Sequence, residues 1–299
     1  MNSQYTRRQF VKRTSLAAGA AALAPRAMFA AAQRTATDEV ALGKTGLKLS
    51  RLGMGTGSDG GKVMTALGKE EFTRLVHYAY DQGIRYFDCA EAYSTFPWIA
   101  DAIKGLPREK LFIQSKIDGK PADVLAKIDS HRQNFQTDYV DSMLVHCMVK
   151  DGWTDEWKRV MDAFDQAREK KWIKAKGVSC HTLGALRASV VSDWTEVHLV
   201  RVNPQGRHVD GLTPEPWNKP SPPNDVNPVV AELKTMHEKG RGVIGMKIIG
   251  NGEFVNAEDR EKSIRFAMSR PEIDAVVIGF KNTDEVDEAI KRINAALAA

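Results

Sequence analysis

The sequence predicts one (β/α)8 barrel preceded by a short β-hairpin. Eight short apolar runs, centred on Gly53, Tyr86, Ile113, Leu144, Gly177, Leu199, Gly245 and Val276, alternate with stretches of helical period. Strand and helix alternating eight times close a parallel barrel rather than an open sheet. Three of the runs end on ionisable residues, Asp88, Lys116 and His146, spaced 28 and 30 residues apart. That spacing is one βα unit, so the three share one rim of the sheet. The 299-residue chain, less an N-terminal segment of 32 residues, also matches one barrel of about 250 residues.

Taken in order, residues 40–49 form a hairpin around Lys44-Thr45-Gly46, and helical patterns cover 70–80, 122–135, 155–170, 229–238, 259–268 and 284–295. Residues 204–228 hold seven of the twelve prolines, which forbid a regular helix there. A loop of this length on the rim suits a substrate-covering role, or a rigid excursion packed on the barrel side.

The stretch Ile84-Arg85-Tyr86-Phe87-Asp88-Cys89-Ala90-Glu91-Ala92-Tyr93 begins as a buried strand and ends on an acid followed by a phenol. Alone, such an acid usually caps a turn. Tyr93 alone is core filler, Lys116 a solvated charge and His146 a core histidine. Together on the rim where barrels keep their chemistry, they form a proton-transfer set. A free phenol has a pKa near 10, and a nearby Lys116 ammonium is expected to lower it. Cys89 and Cys147 each follow one of these residues, so strand alternation turns both outward. Cys147, Cys180 and His181 have no zinc-type spacing, and no metal site is expected.

The ordered set Asp88, Tyr93, Lys116 and His146 resembles the catalytic tetrad of the aldo-keto reductases. The resemblance runs through Leu42-Gly43-Lys44-Thr45-Gly46-Leu47, Ser50-Arg51-Leu52-Gly53-Met54-Gly55-Thr56, Gly177-Val178-Ser179 and Val277-Ile278-Gly279-Phe280-Lys281-Asn282. It implies an NAD(P)(H)-dependent oxidoreductase that interconverts an aldehyde, ketone or keto-sugar with an alcohol. Tyr93 is then the proton donor, Lys116 its charged neighbour, Asp88 the partner of Lys116, and His146 the residue that holds the carbonyl oxygen.

No Gly-x-Gly-x-x-Gly follows a strand, so a Rossmann site is not indicated. The resemblance instead lays the nucleotide across the barrel mouth. Gly55, Thr56 and Ser179 then face the nicotinamide end, and Lys247, Ile249, Gly250 and Gly252 the pyrophosphate. Gly279, Phe280, Lys281, Asn282 and Glu285 face the adenosine end. NADP(H) or NAD(H) fits, with NADP(H) slightly favoured by Lys247 and Lys281. Cys180 replaces the usual Asn, Leu199 the usual Gln and Val202 the usual ring-stacking Tyr. Glu285 stands where phosphate-preferring members often carry Arg, and the loop after Tyr93 lacks the usual Gly and Glu. Trp98, Trp153 and Trp217 follow the second, fourth and sixth strands; three tryptophans on one rim can build an aromatic substrate wall.

The N-terminal segment 1–32 carries Thr6-Arg7-Arg8-Gln9-Phe10-Val11-Lys12, a short apolar run, and small residues at Ala30-Ala31-Ala32. It resembles a twin-arginine export signal, which implies the bacterial twin-arginine machinery as partner and a periplasmic or otherwise exported mature chain. The run is too short to span a bilayer. Arg7, Arg8, Lys12, Arg13 and Arg26 supply its charge, so the formal +5 falls to zero without it, and nucleic acid is not an expected partner. Two rival readings are an exported barrel that binds or processes carbohydrate without redox activity, and a Schiff-base aldolase using Lys116. The aldolase is the weaker, because Asp88 keeps that lysine charged.

Overall fold

The computed structural model describes residues 33–215, 219–220 and 222–299. The expected export signal and Trp217 lie outside the described residues. Arg34–Ala299 form one compact unit. Among the described residues, no helix is long and apolar enough to cross a membrane.

A two-stranded antiparallel hairpin, β1 (Glu39–Ala41) and β2 (Lys48–Ser50), leads into the barrel. The barrel strands are β3 (Leu52–Gly55), β4 (Tyr86–Asp88), β5 (Phe112–Ile117), β6 (Val140–Met148), β7 (Ile173–Cys180), β8 (Val197–Arg201), β9 (Gly242–Met246) and β10 (Ala275–Ile278). They pair in parallel and in sequence order, and β10 closes on β3. Each expected strand centre falls inside its strand. The rung Gly55, Asp88, Gln114 and Ser142 runs across the first four strands. It sets Asp88 level with Gln114 and one inward-facing position below Lys116.

Tyr86, Phe112, Leu144, Val197, Leu199, Ile244 and Val277 fill the barrel, and Leu42 and Leu49 from the hairpin pack onto them. The Tyr86 and Phe112 rings meet edge to face at 5.4 Å between centroids. Gly53 makes room for them, since a Cβ there would sit 2.1 Å from the Tyr86 ring. A second apolar layer lies between strands and helices, where Phe87, Ile113 and Val145 meet Phe72, Leu75, Ile128 and Phe164.

The expected helices form at Lys69–Asp81, Val124–Phe135, Asn227–Glu238, Ala257–Met268 and Thr283–Ala298. The pattern over 155–170 resolves into two helices, Trp153–Glu156 and Lys158–Glu169, because Trp157 leaves helical geometry at φ −104°, ψ 10°. Helix Leu183–Val191, which periodicity did not indicate, is apolar on most of its circumference and capped by the Thr182 hydroxyl. Up to residue 226, the proline-rich segment holds neither helix nor strand among its described residues, and its last two residues begin the helix Asn227–Glu238. It is an anchored excursion: buried Arg201 donates from Nε to Asp210 Oδ1 at 2.6 Å, and the Gln205 amide reaches the Asp259 carbonyl at 2.9 Å.

Strand alternation correctly turns Cys89 into the outer apolar layer, but not Cys147. The β6–β7 register shifts between Val145 and Met148, and Cys147 adopts φ +59°. A bulge of this kind adds one residue and re-aims the side chain. The Cys147 thiol therefore lies 3.5 Å from His181 Nε2 at the barrel mouth.

Trp153 is not part of a rim wall. It is 1% exposed, its indole N–H donates to the Ala185 carbonyl at 3.1 Å, and its ring meets Trp194 edge to face. A tryptophan that starts a helical turn buries its ring beneath that turn. Trp153→Ala should therefore cost about 3–5 kcal/mol of stability, as large core truncations do. Its denaturation midpoint should fall accordingly; a parental midpoint would return Trp153 to the surface.

Candidate active site

The rim residues come together because β4 and β5 end side by side. Lys116 is fully buried, and its Nζ donates to both Asp88 carboxylate oxygens and to the Cys89 carbonyl, each at 2.8 Å. The same ammonium lies 3.1 Å from the Tyr93 hydroxyl. Asp88 is fixed in turn: Oδ1 accepts from Gln114 Nε2 at 2.8 Å, and Gln114 also donates to the Tyr86 hydroxyl. Burial pulls the Lys116 ammonium down, but Asp88 and Tyr93 outweigh it and hold it above the ordinary lysine value. A lysine kept charged in this way is no Schiff-base nucleophile.

The expectation that Lys116 lowers the Tyr93 phenol is corrected. Burial raises Tyr93 more than Lys116 lowers it, so the hydroxyl keeps its proton at neutral pH. That suits a proton donor. The ring is seated tightly, since a Cβ on Gly57 would meet it at 2.3 Å. His146 presents its ring edge to Tyr93 at 5.7 Å between centroids. Asp88, Tyr93, Lys116 and His146 are thus neighbours on one rim.

A cleft of about 520 Å³ leads from this cluster across the barrel mouth. Gly55, Asp88 and Tyr93 line it, with Lys247, Ile249 and Gly252 and with Gly279, Phe280, Lys281 and Glu285; Gly55 and Gly279 lie side by side where β3 and β10 end. Thr56 is not on its wall: buried, its hydroxyl donates to the Asp88 carbonyl at 2.9 Å and holds the first loop to β4. Gly250, at φ +58°, shapes the turn behind the wall, because a Cβ there would strike the Phe254 ring. Asn282 caps helix Thr283–Ala298 by accepting from the Glu285 N–H. Trp98 also stands off the cleft, tilted against Phe72 at 6.1 Å.

Two lysines stand on the cleft wall, Lys247 and Lys281. Burial and the Arg201 guanidinium lower the Lys247 ammonium to about 8, and its Nζ donates to Asn251 Oδ1 at 2.8 Å. Lys281 pairs with Glu285 at 3.2 Å, and Glu285 also accepts the Lys281 N–H. Ser179 Oγ is buried without a hydrogen-bond partner, a donor and acceptor suited to a carboxamide. Ser179 is not among the residues that line the cleft, whose size and wall lysines fit an extended dinucleotide.

Sequence reasoning missed five members of the rim. Glu91 accepts the Asp118 N–H at 2.8 Å and pairs with Lys127, and Asp118 lies 2.8 Å from His146. Burial opposes ionisation of Glu91, but His131, Lys127 and Asp118 together hold it down at about 2. Arg201 donates to the His181 carbonyl, and burial with that guanidinium keeps His181 neutral. Cys147 completes the five. A carboxylate one residue past a strand was the only sequence signal for Asp118.

The sequence profile of the aldo/keto reductase family matches residues 51–264, so the chain belongs to that family. It is 28% identical over 138 residues to the 9,11-endoperoxide prostaglandin H2 reductase of Trypanosoma cruzi, covering 44% of this chain and 45% of that protein. It is 32% identical over 114 residues to the glyoxal reductase of Bacillus subtilis, covering 36% and 40%. The chain thus spans under half the length of these curated relatives. An aldo-keto reductase from Bacillus halodurans in its holo form superposes with a TM-score of 0.68 at 14% identity, over 88% of this chain and 97% of that one. A thermostable aldo-keto reductase in complex with the inhibitor epalrestat gives 0.67 at 19%, over 87% and 98%. At these identities the structural likeness concerns the fold.

The buried ion pair makes a prediction that needs no substrate. Lys116→Met leaves Asp88 uncompensated and should cost about 3–5 kcal/mol in denaturant unfolding. Adding Asp88→Asn should recover much of that loss, and additive losses would show that the two side chains are not coupled.

Proposed function

We propose that this protein is an NAD(P)(H)-dependent oxidoreductase that interconverts a carbonyl and an alcohol, with Tyr93 as general acid and base. The observation that carries the reading is a protonated Tyr93 hydroxyl, 3.1 Å from a buried ammonium, on the wall of a cleft suited to a dinucleotide. The bound nicotinamide supplies the hydride. Tyr93 gives its proton to the substrate oxygen, and Lys116 steadies the phenolate left behind until solvent restores the proton. Asp88 keeps Lys116 charged and aimed. His146 holds the oxygen beside Tyr93.

In this reading Lys247 and Asn251 meet the pyrophosphate, and Ser179 the carboxamide. Lys247 and Lys281 slightly favour NADP(H) over NAD(H); Glu285 already neutralises Lys281, so the preference is modest. Two of the three tryptophans first read as a wall stand away from the cleft, and the substrate class remains carbonyls in general. The purified protein should consume NADPH or NADH in the presence of an aldehyde. Tyr93→Phe should lower turnover by about 10²-fold or more, the scale of general acid catalysis, with cofactor affinity unchanged in a nicotinamide-fluorescence titration. Turnover near the parental rate would remove Tyr93 from the role.

The mature chain works outside the cytoplasm, exported through the twin-arginine machinery; the motif around Arg7 and Arg8 supports this. Export of the folded chain allows a nicotinamide to be loaded first. Changing both arginines to lysine should hold precursor in the cytoplasm, as fractionation would reveal, and undiminished export would refute the assignment.

A further inference from the structure

His146 Nδ1 is buried and lies 2.8 Å from Asp118 Oδ1, an ionic contact whose angle falls short of a standard hydrogen bond. Asp118 stands just past the end of β5, and its backbone is set by Glu91, whose carboxylate accepts the Asp118 N–H and pairs with Lys127. Glu91 itself lies between Asp88 and Tyr93 in sequence, so one loop positions both the phenol and the carboxylate behind the imidazole. The other ionisable groups around His146 are Lys116 on β5, Tyr93 on the β4 loop, Cys147 on its own strand, and His181 after β7, whose ring centroid is 6.5 Å away.

We propose that Asp118 is a positioning residue for carbonyl reduction, which holds the His146 ring through Nδ1 and keeps it an imidazolium, so that a charged Nε2–H meets the substrate oxygen. The proposal rests on the reductase reading above. In the reaction the hydride adds to the carbonyl carbon, the C=O π electrons move to oxygen, and Tyr93 supplies the proton that oxygen takes. His146 keeps both of its protons and donates only a hydrogen bond. A charged donor makes a hydrogen bond roughly twice as strong as a neutral one, and it acts where negative charge develops.

The electrostatics agree with the geometry. Burial lowers the His146 imidazolium, but Asp118 and Cys147 outweigh it and raise it to about 9, with Lys116 opposing. The charged ring is therefore present at neutral pH and is lost as pH rises through about 9. Without the Asp118 carboxylate the largest raising contribution is removed, only Cys147 still opposes burial and Lys116, and the charge is lost at lower pH.

The test uses the full chain with Asp118→Asn and Asp118→Glu, and two separate readouts. Ring-nitrogen NMR, with His146→Gln identifying the resonance, should show His146 titrating near 9 in the parent and at distinctly lower pH in Asp118→Asn. In parallel, kcat/KM for 4-nitrobenzaldehyde with NADPH is followed against pH. For Asp118→Asn the basic limb should move to lower pH, with a loss of about 10²-fold at pH 8, the general-catalysis scale. The loss should fall on kcat rather than on the cofactor KM, and Asp118→Glu should restore most of it. An unchanged His146 titration, or a uniform loss at all pH values with the limb in place, would overturn the proposal. Absence of turnover in the parent would remove the reductase reading and the catalytic half of the proposal, while NMR would still decide whether Asp118 charges His146.

Discussion

An ammonium with no exposed surface is the constraint around which this rim is arranged. Removing a charge from water costs several kcal/mol unless it is paired and fully hydrogen-bonded. Lys116 meets that requirement with Asp88, the Cys89 carbonyl and Tyr93. Asp88 can serve only because Gln114 and Tyr86 hold its other contacts. The Tyr86 ring then demands the space that Gly53 leaves, and the Tyr93 ring the space at Gly57. Two glycines, two aromatic rings and an amide on the first three barrel strands and the loops that follow β3 and β4 thus answer to one buried cation.

Beyond the tetrad, the mouth has a second electrostatic region. Burial, with Arg201 and Lys116 nearby, pushes Lys247 down, and burial with Arg201 and Lys247 keeps His181 neutral. Asp210 and Glu215 balance Arg201 from behind, within the proline-rich segment. Burial raises Asp210 to about 6 even though Arg201 opposes it, which shows how little water reaches that pair. The loop after β8 therefore supports the charge of the cleft from outside its wall.

Much of this was legible in the sequence. Strand positions followed from apolar runs, since a barrel strand buried on both faces has a composition that loops cannot share. Asp88, Lys116 and His146 were legible because each closes such a run, and Tyr93 because it follows Asp88 by five residues. Trp153 misled, because the side chain of a loop tryptophan is placed by the helical turn it begins, and that turn carries no apolar period. Thr56 misled in the same way: a hydroxyl beside the first strand served the Asp88 carbonyl rather than a ligand. Asp118 and Glu91 were invisible, because nothing in residue type separates a carboxylate that supports a neighbour from one that solvates a turn.

The bulge in β6 carries one more consequence. Cys147 stands at the mouth but lies where the β6–β7 pairing register shifts. Its side chain can therefore vary without disturbing the ladder that closes the barrel. The left-handed backbone limits that freedom, disfavouring β-branched residues and tolerating Asn, Asp or Gly. Position 147 is thus a site where selection, natural or directed, can remodel the entrance while the architecture beneath stays as it is.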